Sequence, residues 1–199
     1  MPSLQEQFGP IDIYLFDQLL RGRITPGMRI LDAGCGYGRN LVYLLREGYE
    51  VFGADADAEA IAGVRELAAA LPADHFRREA IESMTFPEAF ADVVISSAVL
   101  HFAVDNAHFV RMLEGSWKAL KPGGLFFCRL ASSLGIKEEI RPTGENRFLL
   151  PDGSERYLVD EAKLLRLTEQ LGGELLDPIK TTVVQGMRSM TTWVIRKNG

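Results

Sequence analysis

Acids, glycines, one histidine and one arginine carry the chemical possibilities of this chain, and their spacing narrows what they can do. The stretch from Met28 to Asn40 ends a short apolar run (Met28, Ile30, Leu31) on Asp32, then places Gly34, Gly36 and Gly38 at alternate positions. Glycine tolerates positive φ and has no Cβ, so such a turn brings bare backbone against a small polar ligand. A helical pattern follows, with Leu41, Leu44 and Leu45 on one face. The unpaired N–H groups at its start would face the turn and favour an anionic group. Asp55 closes a second strand-like run, Tyr49 to Asp55, where a carboxylate can accept hydrogen bonds from ligand hydroxyls. His101 titrates near neutrality and is the best single candidate for acid–base work, with a local hydrogen bond at a helix start as the competing role. Arg129 ends a strand of buried type, so it is either paired internally or aimed at an anionic ligand. His75 and His108 lack a partner pattern and read as structural or exposed. No His, Cys or acid spacing suggests a metal site.

The elements that must position these residues follow from periodicity. Ile11 to Arg21 has helical apolar spacing, and Thr25-Pro26-Gly27 breaks the chain before the glycine-rich stretch. Asp57 reads as the cap of a helix from Ala58 to Ala70, closed by Pro72. His75 to Arg78 is a weak third strand, and Ile81 to Phe90 reads as loop. Ala91 to Ser96 and Leu125 to Leu130 are near-continuous apolar runs, typical of strands buried on both faces. Between them lie a helix from Asn106 to about Leu120 and the stop Lys121-Pro122-Gly123-Gly124. Strands alternating with helices over short loops predict a parallel sheet with helices on both faces. Residues 131–158 mix Ser, Gly, Pro and charge, and read as a lid-like excursion rather than sheet. A helix from Val159 to Leu171 follows. Two last strands, Glu174 to Val184 and Met190 to Arg196, are joined so briefly that they must form an antiparallel hairpin at one edge.

The glycine turn excludes two ligand classes. Counted from Gly34 and Gly36, the third small residue of the dinucleotide fingerprint falls on Arg39, and no Gly-Lys-Ser/Thr ends a phosphate loop. The pattern that stands is acid-x-Gly-x-Gly-x-Gly. Here the chain resembles the class I methyltransferases that use S-adenosylmethionine, of the small-molecule, type 11/12-like kind. Asp32 to Gly38 resembles their first motif, and Asp55 their acidic ribose-binding residue. Asp92 to Ser97 with Val99-Leu100-His101 resembles the fourth strand and the start of its helix, and Leu120 to Gly124 the turn before the fifth. Gly36 to Asn40 is also similar to tellurite- and thiopurine-type members.

The resemblance implies an α/β, Rossmann-like, doubly wound, mostly parallel seven-stranded sheet with a C-terminal antiparallel hairpin. It implies S-adenosylmethionine as cofactor, held by Asp32, Gly34, Cys35, Gly36, Gly38, Asn40, Asp55, Ala56, Ile81, Glu82 and Ser96. At the adenine edge the family's acid falls on Ala80, which leaves Glu79 and Glu82 as alternatives. Acceptors bind beyond the carboxyl ends of the strands, near Tyr37, Ser96, Ser97, His101, Phe102, Arg129, Ser132 and Ser133. Arg141, Arg147 and Arg156 on the excursion would let a lid close over an anionic acceptor, and the leading helix (about 10–22), with Tyr14 and Asp17, would help cover the site. The expected activity is methyl transfer to a small molecule, with His101 and Arg129 as the catalytic candidates. The alternative is a non-catalytic sensor or partner subunit that binds S-adenosylmethionine or S-adenosylhomocysteine.

Length and charge set the outer bounds. The 199 residues suit one domain, here 1–199. A net charge of −5 argues against a nucleic-acid partner. No leader pattern and no run of about 18 apolar residues appear, so the expectation is a cytoplasmic protein with no membrane partner. Cys35 and Cys128 read as buried thiols. The oligomeric state is not legible.

Overall fold

The computed structural model describes residues 3–199. β1 (Arg29–Ala33) lies inside the main sheet, parallel to β2 (Glu50–Asp55) on one side and β4 (Ala91–Ser97) on the other. β3 (Phe76–Arg78) extends the sheet beyond β2, and β5 (Leu120–Ala131) extends it beyond β4, both parallel. β11 (Arg188–Lys197) pairs antiparallel with β5, and β10 (Lys180–Val184) pairs antiparallel with β11. The order is therefore β10-β11-β5-β4-β1-β2-β3. It reverses direction between β1 and β4, where an open α/β sheet leaves a crevice at its carboxyl end.

Period-two alternation divides the core into two faces. Leu31, Ala33, Val94, Phe126, Cys128, Leu130, Trp193 and Ile195 point to one side. There they meet α5 (Asn106–Ala119) through Phe109, Leu113 and Trp117, and α6 (Glu161–Gln170) through Leu164. Ile30, Val93, Ile95, Phe127 and Val194 point to the other. That face is covered by α2 (Ile13–Leu20), α3 (Val42–Arg46) and α4 (Ala58–Leu67) through Leu15, Leu44, Ile61 and Val64. The five-residue α1 (Leu4–Phe8) precedes α2, with Phe8 stacked on Tyr43. Aspartates cap the four longest helices: Asp12, Asp57, Asp105 and Asp160 each accept a first-turn backbone N–H.

Three expectations are corrected. The excursion holds a second sheet, made of β6 (Arg141–Gly144), β7 (Arg147–Leu149) and β8 (Glu155–Tyr157), all antiparallel. Its strands have three or four residues each and a small core of their own around Leu150 and Leu158, too short for an alternation to register. The turn chemistry was present: Asn146 takes a positive φ of 57° between β6 and β7, and Gly153 one of 81° between β7 and β8. The run Glu174 to Val184 is two strands. β9 (Gly173–Leu175) and β10 both pair with β11, separated by a break at Asp177-Pro178, which makes the sheet eight-stranded. Asp177 turns inward there and binds Arg23 at 2.8 Å and Gln18 at 3.1 Å, tying the end of α2 to the sheet. Finally, Lys121 to Gly124 lies within β5 as an irregularity, where the register shifts between the Ala91 and Val93 pairings.

Candidate functional site

The glycine loop leaves β1 under tight steric constraint. A Cβ at Gly34 would meet Val99 at 2.5 Å, and one at Gly38 would meet Val64 of α4 at 2.8 Å. Close packing in the loop thus falls on Gly38, so the large side chain of Arg39 next door is accommodated. Gly36 has φ +51° and nothing within 4 Å of its missing Cβ; it borders open space. That space is a cavity of about 440 Å³ walled by Gly34, Gly36, Asp55, Ala56, Ile81 and Glu82 on one side and by Val99, Phe102, His108 and Met112 on the other. The helix-start reading needs correction. α3 begins only at Val42 and is a five-residue turn of helix, and the Gly36 N–H turns to Asp55.

Asp55 at the tip of β2 braces this wall. Its Oδ2 accepts from Gly36 N–H at 2.9 Å and its Oδ1 from Asp57 N–H at 2.9 Å. A carboxylate has about four lone-pair directions, so each oxygen keeps capacity for a ligand donor. Asp32 is different. It is buried, and among the described residues neither of its oxygens has a hydrogen-bond partner. Burial pushes its pKa up to about 7; the neighbouring Asp55 charge adds to this, while Arg39 opposes it. A buried carboxylate with no partner is costly, and a cationic ligand group beside it would remove that cost. Arg39 itself reaches across to Ser97 at the end of β4, Nη2 to Oγ 2.9 Å.

The two glutamate alternatives separate. Glu79 accepts from Thr85 at both backbone N–H (2.8 Å) and hydroxyl (2.6 Å), and is occupied away from the cavity. Glu82 lines the cavity, with Oε1 3.3 Å from His108 Nε2. His108 Nδ1 accepts from Val104 N–H at 3.2 Å, so the neutral ring has its proton on Nε2, facing Glu82. His108, expected to be structural or exposed, therefore belongs to the site; its place on the first turn of α5 was the only signal. Gly115 on the same helix allows the approach, since a Cβ there would stand 2.3 Å from the Ile81 carbonyl oxygen.

Other residues assigned to the cofactor stand behind the wall. Cys35 packs its sulfur against Gly53, and burial pushes its thiol far up. Ser96 is buried within β4. Asn40 Oδ1 accepts from Asp12 N–H at 3.0 Å, so its side chain anchors the leading helix. Asp12 is a hub that no sequence pattern indicated. Its carboxylate caps α2 through Tyr14 N–H, accepts from Ser97 at 3.4 Å, and pairs with Arg129 Nη1 at 2.8 Å. The internal-pairing reading of Arg129 thus holds for Nη1, while its side chain also lies over the Tyr14 ring at 5.2 Å.

A second cavity of about 300 Å³ adjoins the first at Ala98, whose φ is +66°. His101, Arg129, Arg156, Arg188 and Asp152 border it. His101 is 6% exposed, and its Nδ1 accepts from Ala131 N–H at 3.2 Å. Burial, with help from the Arg156 charge, lowers its pKa to about 4. The ring is therefore neutral with its proton on Nε2, a hydrogen-bond donor. A general-base role does not fit, because the lone pair that would take a proton already faces a backbone N–H. Of the excursion's arginines only Arg156 reaches this cavity, lying over Phe102 at 4.9 Å. Arg147 binds the Ala103 carbonyl and Glu155, and Arg141 is exposed on β6. Tyr37 packs on Gly63, Asp17 pairs with Arg21, Ser132 bonds Ser189 and Thr191, and Ser133 faces a separate cavity. Among the described residues no three His, Cys, Asp or Glu converge, and no helix is long and apolar enough to cross a membrane.

Residues 31–128 match the family described as methyltransferase domain. An uncharacterised methyltransferase of Synechocystis is 33% identical over 52% of this chain and 47% of its own length. A ubiquinone biosynthesis O-methyltransferase of Bradyrhizobium diazoefficiens is 31% identical over 73% of this chain and 61% of its own. The chain spans about half the length of the curated relatives it matches. The crystal structure of an S-adenosylmethionine-dependent methyltransferase from Methanosarcina mazei superimposes with a TM-score of 0.74 over 90% of this chain and 97% of that one, at 22% identity, a likeness of fold.

Proposed function

We propose that the chain is a class I methyltransferase that uses S-adenosylmethionine, binding this cofactor in the cavity beside the glycine loop and methylating a small-molecule acceptor in the adjoining one. The observation that carries the reading is Asp32, a buried carboxylate without a hydrogen-bond partner beneath a glycine loop. A ligand with an ammonium group on its amino-acid end answers that need. The rest of the wall suits the same ligand. Asp55 has free lone pairs for two ribose hydroxyls, and Glu82, oriented by His108, can accept from an adenine amino group; Arg39, outside the wall and bonded to Ser97, is the nearby cation for a carboxylate.

Bound there, the cofactor would supply a methyl group on a positively charged sulfur, which asks of the protein mainly position and exclusion of water. This chain's residues meet that demand without a strong base. His101 offers its Nε2–H to an acceptor oxygen as a neutral donor, which holds the acceptor without taking a proton from it. Phe102 and Val99 on the wall present apolar surface to a ligand there.

Calorimetry with S-adenosylmethionine and S-adenosylhomocysteine tests the reading. We expect both to bind, and Asp55→Ala to weaken binding at least ~10-fold, the loss of about one charge-assisted hydrogen bond. Unchanged affinity in that variant would refute the ribose assignment. Tight binding with no S-adenosylhomocysteine released from any acceptor would favour a sensor instead.

A further inference from the structure

We propose that the acceptor is a small organic anion, a carboxylate or phosphate ester, whose charged group is held between Arg156 and Arg188 with the His101 Nε2–H as a neutral donor. The inference rests on the methyltransferase reading, because it takes the second cavity to be the acceptor's. It goes further by fixing the charge and the size of what enters.

The first ground is the charge left over once existing pairs are set aside. Arg129 is matched by the buried Asp12. Arg156 and Arg188 border the same cavity, and among the described residues neither makes an ion pair within 4.0 Å. The one acid on the wall, Asp152, accepts from the Ser154 N–H at 2.9 Å and its hydroxyl at 2.6 Å, and both arginines act on its charge. Two guanidinium groups therefore share one carboxylate that is already engaged.

The second ground is convergence of unrelated segments. Arg156 comes from β8 of the small sheet, Arg188 from the start of β11, and His101 from the turn after β4. Solvated surface arginines need no such meeting point. Arg156 is fixed further by a cation–π contact, its guanidinium carbon 4.9 Å from the centre of the Phe102 ring, which also walls the first cavity. The Arg156 Nη1 donates to the Glu155 carbonyl at 2.7 Å, which leaves the N–H groups of Nε and Nη2 to meet an anion.

The third ground is space. About 300 Å³ lies at the small end of ligand pockets and fits a one-ring acid with its reactive end turned toward Ala98, where the two cavities meet.

Two pairs of probes, each pair close in shape and different in charge, test this: benzoate against benzamide, and phenyl phosphate against phenyl phosphorodiamidate. Each is titrated by calorimetry and by ligand-observed NMR into the protein with and without saturating S-adenosylhomocysteine. At least one anion should bind at millimolar or better affinity, ~10-fold or more tightly than its neutral partner. That advantage should shrink as salt rises from ~50 to ~500 mM. The pair that shows it identifies the source as carboxylate or phosphate. Arg156→Gln with Arg188→Gln should lose the advantage while S-adenosylhomocysteine affinity stays within about twofold. Arg188→Gln alone, at an exposed position, serves if the double variant folds poorly. The proposal is overturned if no anion binds, if anion and neutral partner bind alike, or if the variants keep the preference. If S-adenosylhomocysteine fails to bind the unaltered protein, the methyltransferase reading fails separately, and the anion titration still reports on this cavity.

Discussion

Asp32 is the residue whose environment makes the sharpest demand. Its ordinary carboxyl pKa of 3.8 rises to about 7 in the folded chain, because burial disfavours the charged form. The folded state thus binds a proton more tightly than the unfolded one. From pH 3.8 upward to about 7 this group's contribution to stability falls, and above 7 the full cost of the buried charge is present. Asp32→Asn should accordingly raise the melting temperature of the ligand-free protein at pH 8 and change it little near pH 4. In a chain of this size each kcal/mol of relief is worth roughly 2–4 °C. A cationic ligand group next to Asp32 reverses the preference and expels the proton. S-adenosylmethionine affinity should therefore weaken as pH falls below 7, by up to ~10-fold per unit, with proton release visible in calorimetry across buffers of different ionisation enthalpy. The Asn variant should bind more weakly and lose this pH dependence. A pH-independent affinity in the unaltered protein would exclude Asp32 as the ammonium partner.

At the scale of elements, the leading helix is held to the site by one buried carboxylate. Asp12 connects α2 to the ends of β4 and β5 through Ser97 and Arg129, and its backbone N–H to the glycine loop through Asn40. Removing it leaves Arg129 uncompensated. Asp12→Ala should cost roughly 2–3 kcal/mol, less than the 3–5 of a fully buried pair because Arg129 keeps some exposure. Asp12→Asn, which keeps the acceptor oxygen but not the charge, should cost less. Urea denaturation of the three proteins reads this, and an Asp12→Ala chain as stable as the parent would show the ion pair to be ornamental. The small sheet β6-β7-β8 plays a comparable part on the other flank. Arg147 docks it onto the Ala103 carbonyl at 2.9 Å, and β8 thereby delivers Arg156 to the cavity. What reads along the sequence as a loose lid is a braced wall.

The whole molecule couples both flanks to the central crevice, so a ligand there should stabilise all of it. At a concentration ~100 times its Kd, S-adenosylhomocysteine should add about 2.7 kcal/mol and raise the melting temperature by roughly 5–10 °C. The shift should grow with the logarithm of concentration, and its absence at millimolar ligand would contradict the proposed site. By itself the sequence determined the parallel sheet, the position of the glycine loop and the acids at the tips of β1 and β2. Those features are local: apolar runs, turn residues and caps declare themselves within a few neighbours, and Asp57 was legible as a cap for that reason. It could not determine which groups are already partnered. Whether Glu79 or Glu82 faces the cavity, whether His101 has a free lone pair, and whether Arg129 or Arg188 offers unmatched charge all depend on residues distant along the chain. Hydrogen bonding and burial are properties of assembled neighbours, so only the tertiary structure could decide them.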